Sequence, residues 1–283
     1  MKKTVFFFCI VSAIINLRGQ TTPWCEVRTD KYTVLDSADI KVAYRLKSVK
    51  DTIKNEPAED IQTLLIGKNY SKYYSEYYLE YNTNTTKLIL KGAEAVPRFT
   101  KEGSYGYEIF KNKKESEMIV TDLGTCIRGN YYYKEAIPDF SWRIENEYCQ
   151  ILSYSCQKAV GAFRGRTYEA WFSTEIPINN GPWKFGGLPG LILKIADSQK
   201  HYQFECIGLE NLEKKEEIKE YDLEYKKVKR EDIAKLYKRY HKDWVAYNVS
   251  LGETVRFMNP NTRKWEDRKN AKEELPYNPI EGE

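Results

Sequence analysis

The chain has 283 residues, 45 basic and 41 acidic, for a net charge of +4. That near balance argues against nucleic acid or an anionic membrane surface as a partner, because neither would be held by bulk charge. Charged residues at 30% and aromatics at 14% fit a globular chain long enough to bury one large core.

Residues 1–20 read as an export signal. Lys2 and Lys3 precede the apolar run Val5–Ile15, and Asn16–Gln20 turn polar. Spanning a bilayer takes about 20 apolar residues, so this shorter run fits the h-region of a secretory signal. Cleavage is expected near Gly19 or Gln20, with an uncleaved N-terminal anchor as the alternative. Loss of Lys2, Lys3 and Arg18 leaves a mature charge of about +1. Residues 21–283 are expected to form a single exported domain, periplasmic, secreted or at the outer membrane, with no later membrane-spanning stretch. The mature cysteines are Cys25, Cys126, Cys149, Cys156 and Cys206. Export permits disulfides, and an odd number leaves at least one thiol unpaired. Cys156 and Cys206 both fall in expected strands, which leaves a bridge between neighbouring strands open. They could bridge, or pack as buried thiols.

Along the chain, Asp39–Lys47 alternates apolar and polar residues, the signature of a half-buried antiparallel strand. Gln62–Gly67 is a second strand. Tyr70, Tyr73, Tyr74, Tyr77, Tyr78 and Tyr81 have helical spacing on one face, either a stripe covering a sheet or an aromatic platform for a partner. Tyr105–Phe110 and Glu117–Thr121 read as a hairpin, Tyr131–Lys134 as a further β segment, and Phe140, Trp142 and Ile144 alternate. Cys149–Val160 and Gly165–Ser173 read as two long strands around a Gly161–Gly165 turn. Leu191–Ala196 and Tyr202–Leu209 form a hairpin. Asn211–Glu220 is a charge run expected to be a solvated loop or helix face. Tyr221, Leu223 and Tyr225 point to one more strand, Glu231–Trp244 to an amphipathic helix, and the residues from Asn259 onward to an extended tail. Short strands with hairpin-length turns make a mainly β fold. The expected architecture is a curved antiparallel sheet or half-barrel covered by the Tyr70–Tyr81 and Glu231–Trp244 helices, like the lipoprotein carriers by analogy.

Residues 181–190 combine turn-forming glycines and prolines with Trp183, Phe185 and Leu188, and then lead into a strand. Surface loops are usually polar, so a loop this apolar is expected to pack down as a plug. The alternative is that Trp183, Phe185 and Leu188, with Trp171, line a ligand site. The loop lacks the Lys-Ser/Thr of a phosphate-binding loop and precedes a strand instead of a helix. His201 and His241 are expected at the surface, no zinc-ligand spacing occurs, and no catalytic residue, metal or cofactor is assigned. Arg166 and Asp197 are expected to form a structural ion pair. Glu169 and Asp197 are the residues of a rival reading, an acid pair for hydrolysis.

The chain resembles the GLPGLI family of secreted Bacteroidota proteins. The resemblance rests on Gly187–Ile192 and on Tyr154–Ala159, Phe163–Arg166, Tyr168–Phe172, Glu175–Pro177, Gly181–Trp183, Asp197, Ser71–Ser75 and Asn278–Glu281. The positions it marks include Arg166, Tyr168, Gly187, Pro189, Gly190 and Asp197. It implies an exported protein without an assigned active site, working beside an outer-membrane TonB-dependent receptor. The expected function is non-catalytic binding of a hydrophobic or peptide ligand, or assistance to such a receptor. The rivals are the hydrolase and a structural or interaction module that uses the tyrosine-rich face.

Overall fold

The computed structural model describes residues 27–97, 99, 101–123, 127, 129–252, 254–259, 261–267 and 272–282. The expected signal, Cys25 and Cys126 lie outside the described residues. The elements are β1 (Tyr32–Ser48), β2 (Ala58–Gly67), β3 (Tyr70–Ser75), α1 (Glu76–Leu90), β4 (Tyr107–Asn112), β5 (Glu117–Asp122), β6 (Tyr131–Ala136), β7 (Arg143–Ile151), β8 (Tyr154–Phe163) and β9 (Arg166–Ser173). After a long loop come β10 (Leu191–Asp197), β11 (Tyr202–Tyr221), the two-residue β12 (Lys226–Lys227), α2 (Arg230–Lys242), α3 (Trp244–Ser250) and the hairpin β13 (Arg256–Met258) and β14 (Trp265–Asp267).

Twelve strands form one open sheet in the order β12-β6-β5-β4-β3-β2-β1-β11-β10-β9-β8-β7. Every neighbouring pair is antiparallel except β12 with β6. The fold is mainly β, as expected, with a sheet that is mixed only at this edge. The long pairing of β1 with β11, from Tyr32↔Tyr221 to Ser48↔Tyr202, is its central seam.

The sheet curls strongly. Arg164, in the turn between β8 and β9, is ion-paired with Glu135 on β6. β6 and β8 are nine strand positions apart, which on a flat sheet would be about 43 Å at about 4.8 Å per strand. A contact across that span requires the two wings to fold toward each other. One apolar core fills the inner face, with residues from β1, β2, β3, β4, β5, β6, β8, β9, β10 and β11.

Several segments differ from the sequence expectation; Leu223 and Tyr225 follow the end of β11 without forming a further strand, and Phe140 and Trp142 precede β7. The tyrosine run is split: Tyr70–Ser75 is strand and only from Glu76 does the chain turn helical. Ser75 causes the switch, since its hydroxyl accepts the Tyr78 amide at 3.2 Å as an N-cap. Tyr73 packs in the inner core and Tyr74 in a cluster on the other face, so no common tyrosine platform forms. Cys149–Val160 is two strands, broken at Leu152, which takes a left-handed φ of 53°. The following turn is Arg164-Gly165, with φ of 44° and 79°. Asn211–Glu220 continues β11, because it pairs with the first half of β1. The C-terminal helix ends at Lys242, where Asp243 leaves helical geometry and its carboxylate caps α3 through the Ala246 amide at 3.0 Å.

Candidate functional site

The segment between β9 and β10 folds back over the inner face and fills it. Phe185 is fully buried, with ring centroids 4.7 Å from Tyr168, 5.0 Å from Trp183 and 6.0 Å from Phe204. Trp183 and Leu188 are buried as well. Three of the four proposed ligand-binding residues thus stand in the core, and the space beneath Trp183 holds Phe163 and Phe185. Trp171 does not join them. It lies on the opposite face of β9 and lines an open cleft of about 410 Å³ with Cys149, Lys194, Glu205 and Cys206.

Polar groups pin the loop where apolar packing alone would leave its backbone unsatisfied. Phe185 N–H donates to the Pro182 carbonyl at 3.0 Å, closing a turn in which Trp183 has φ of 51°. Asn180 accepts Lys111 Nζ at 2.8 Å and donates to the Ser71 hydroxyl at 3.0 Å. Lys111 also donates to the Phe185 carbonyl at 2.6 Å. Burial with no carboxylate beside it lowers the Lys111 pKa to about 7. Trp142 Nε1 donates to the Gly186 carbonyl at 2.8 Å. Gly190 lies against β9 so closely that a Cβ would stand 2.0 Å from the Ser173 carbonyl oxygen. Gly187 takes a φ of +82°, and it and Pro189 are exposed at the bend.

Arg166, Tyr168 and Asp197 hold the C-terminal tail. Arg166 Nη1 pairs with Asp197 at 2.7 Å, as expected. The same guanidinium donates through Nη2 to Asn278 Oδ1 at 2.6 Å and to the Pro279 carbonyl at 2.8 Å. Tyr168 OH donates to the Ile280 carbonyl at 3.2 Å, and the Tyr202 hydroxyl to that of Asn278. Asn278 Nδ2 donates to the Val49 carbonyl at 2.6 Å, and Gly282 N–H to that of Arg164 at 2.8 Å. Glu281 is ion-paired with Lys184, with Arg164 at 2.6 Å and with Arg230 at 3.2 Å. Burial raises its pKa, but Lys184 and Arg164 overcome that and hold the carboxyl below its ordinary range. Lys184 is itself buried and meets Glu135 at 2.7 Å. Side chains therefore take up every tail residue from Asn278 to Glu281.

The arrangement does not pair the carboxylates of the hydrolase reading. Asp197 stands opposite Tyr168 in register and shares its inner face. Glu169, the next residue on β9, projects outward, is exposed and meets Lys158 at 3.7 Å. Among the described residues, no three His, Cys, Asp or Glu side chains come together as metal ligands. His241 is half-buried, with its ring 4.8 Å from Tyr277, and His201 is partly exposed at the β10–β11 turn. Cys156 and Cys206 are buried thiols. β8 and β11 are three positions apart, so they are not the neighbouring strands a bridge would need.

The family described as "Protein of unknown function (Porph_ging)" matches residues 164–194. This stretch runs from the Arg164 turn through β9 and the packed loop into β10, and includes Arg166, Tyr168, Gly187, Pro189 and Gly190. No curated protein matches the chain. Two solved structures, of PNGF-II in the P21 and C2 space groups, are similar with TM-scores of 0.47 and 0.46 at 15% and 14% identity. The similarity covers 73% and 71% of this chain, which spans about a third of theirs, 34% and 33%. Among the described residues no helix is long and apolar enough to cross a membrane.

Arg166 and Asp197 are legible in the sequence, whereas Lys111, Asn180, Lys184 and the role of Glu281 are not. Asn278–Glu281 and the loop both belong to the resemblance, but their contact is visible only in the fold.

Proposed function

We propose that the protein is a non-catalytic binding protein of the cell envelope that grips an extended, acidic peptide segment on the inner face of its sheet. The observation behind this reading is the seating of Asn278–Gly282. Arg166, Tyr168 and Tyr202 take backbone carbonyls, while Lys184, Arg164 and Arg230 take one carboxylate. Donors aimed at main-chain carbonyls recognise an extended backbone, and a cationic pocket selects the acidic side chain. In this reading the chain's own tail fills the site and a partner segment of the same chemistry replaces it. A peptide is favoured over a lipid because Trp183, Phe185 and Leu188 already fill the apolar space.

The match over residues 164–194 contains Gly187–Ile192, which supports the resemblance to the GLPGLI family. The export signal read in residues 1–20 supports an envelope location, and a TonB-dependent outer-membrane receptor is the partner we propose. The test is fluorescence anisotropy with a labelled peptide copying residues 276–282. It is titrated into the full chain with its own tail loosened by Asn278→Ala and Glu281→Ala. Saturable binding that weakens at least tenfold when the peptide's glutamate is replaced by glutamine is expected. Absence of binding to the loosened chain would overturn the reading. Cross-linking in native envelope membranes should recover a receptor of this class, and recovery of none would remove that partner.

A further inference from the structure

The β7–β8 hairpin sets two cysteines opposite each other. Its turn, Leu152-Ser153, fixes the register Ile151↔Tyr154, Gln150↔Ser155 and Cys149↔Cys156. Directly opposed residues on antiparallel strands project from the same face, with Cα atoms about 4.5 to 5.5 Å apart. A disulfide spans Cα separations of about 4.4 to 6.8 Å, so the backbone needs no movement to accept one. Both side chains are thiols in the structure. Cys149 is half-buried and lines the open cleft beside Trp171, Lys194 and Glu205, while Cys156 is fully buried. Cys206 reaches the same cleft from β11, but its Sγ turns to the Gly208 carbonyl at 3.5 Å.

We infer that Cys149 and Cys156 form a reversible cross-strand disulfide, with Cys149 meeting the oxidant in the cleft and Cys156 closing the bond. The oxidant is a disulfide, small or protein-borne. The Cys149 thiolate attacks one of its sulfurs and expels the other as a thiolate, leaving a mixed disulfide on Cys149. The Cys156 thiol then gives up its proton and attacks the Cys149 sulfur, and the second oxidant sulfur leaves as thiolate. Two protein thiols are oxidised and one disulfide is reduced to two thiols.

The environments suit these roles. Burial raises the Cys149 pKa, but Lys194 works against the rise. Burial pushes the Cys156 thiol up to about 11, so it is protonated at neutral pH and the closing step is the slow one. The bond would also secure the sheet's edge. β7 is the last strand, and its pairing with β8 is interrupted by a register shift between Ile144 and Tyr148.

The test treats the folded full chain with oxidised glutathione, blocks remaining thiols with iodoacetamide and digests with trypsin. Residues 144–158 form one tryptic peptide holding both cysteines. It is expected without alkyl groups and lighter by two hydrogens than the dithiol form. Recovery with two alkyl groups, or with two glutathiones, would overturn the inference. Cys156→Ser should trap glutathione on Cys149, and closure should accelerate several-fold from neutral to alkaline pH. Cys206→Ser should leave the disulfide intact, and its loss in that variant would show that Cys149 pairs elsewhere. If Cys156→Ser does not fold, Cys149→Ser serves instead, and rapid glutathione uptake by Cys156 in that variant would count against the order of attack.

Discussion

Arg166 and Pro279, 113 residues apart in the chain, are joined by two hydrogen bonds from one guanidinium that also pairs with Asp197. Arg166→Ala therefore strands a buried carboxylate and releases the tail together. Removing one partner of a buried pair costs about 3–5 kcal/mol. At about 2–4 °C per kcal/mol for a chain of this size, melting should fall by on the order of 10 °C. Arg166→Lys should recover only part, because an ammonium cannot reach Asp197 and Pro279 together. An unchanged melting temperature in Arg166→Ala would refute the clasp.

Glu281 should make the protein sensitive to acid. Its folded pKa is depressed by Lys184 and Arg164, so its stabilisation is present above the unfolded value of about 4.3 and is lost as pH falls through the folded value. Glu281→Gln should be less stable than wild type at neutral pH, and the difference should shrink steadily below about pH 4. Urea unfolding at several pH values measures this. A constant difference would show that the carboxylate charge is not what holds the tail.

Lys111 acts in the opposite sense. Its folded pKa is about 7, well below the unfolded value of about 10.4. The folded state thus carries a penalty that is complete below pH 7 and is relieved as pH rises toward the unfolded value. Relative to Lys111→Met, wild type should gain on the order of 1–3 kcal/mol between about pH 7 and 9. The variant also leaves the Asn180 and Phe185 oxygens without their donor, a cost at every pH that offsets part of what it gains by removing the buried charge. A pH-independent difference would mean that Lys111 stays charged in the fold.

The loop's glycines should rank by what a methyl group would meet. Gly190→Ala places Cβ 2.0 Å from the Ser173 oxygen on the neighbouring strand, and neither backbone can retreat without breaking β9–β10. A loss above about 4 kcal/mol is expected. Gly187→Ala meets Trp142 Nε1 at 3.3 Å and keeps a φ of +82°, which costs about 1–2 kcal/mol. Soluble yield and melting temperature give the ranking, and a milder effect at Gly190 would be the wrong order.

The readable parts of this fold were those where one face is buried. β10 and the first half of β11 alternate cleanly against the core, and Arg166 and Asp197 could be paired because their strands are adjacent in sequence order. The second half of β11 faces solvent on most of its length, so its ladder bonds left no hydrophobic period. The tyrosine run satisfied both periods over a short window, and the outcome turned on one Ser75 cap. Leu152 turns a hairpin without glycine, proline or asparagine, so the break in Cys149–Val160 carried no signal. The tail's site combines residues from five separate segments, a proximity that only the curl of the sheet creates.

The seam between β1 and β11 also bears on how the chain assembles. On one side, β2 to β6 follow each other as neighbouring strands; on the other, β7 to β11 do the same. Each wing can form from contacts close in sequence, while the seam pairs residues as distant as Tyr32 and Tyr221. Local pairing is fast and long closure is slow. The rate-limiting event should be the meeting of two half-built wings, and until it occurs each wing presents a bare strand edge to the solvent.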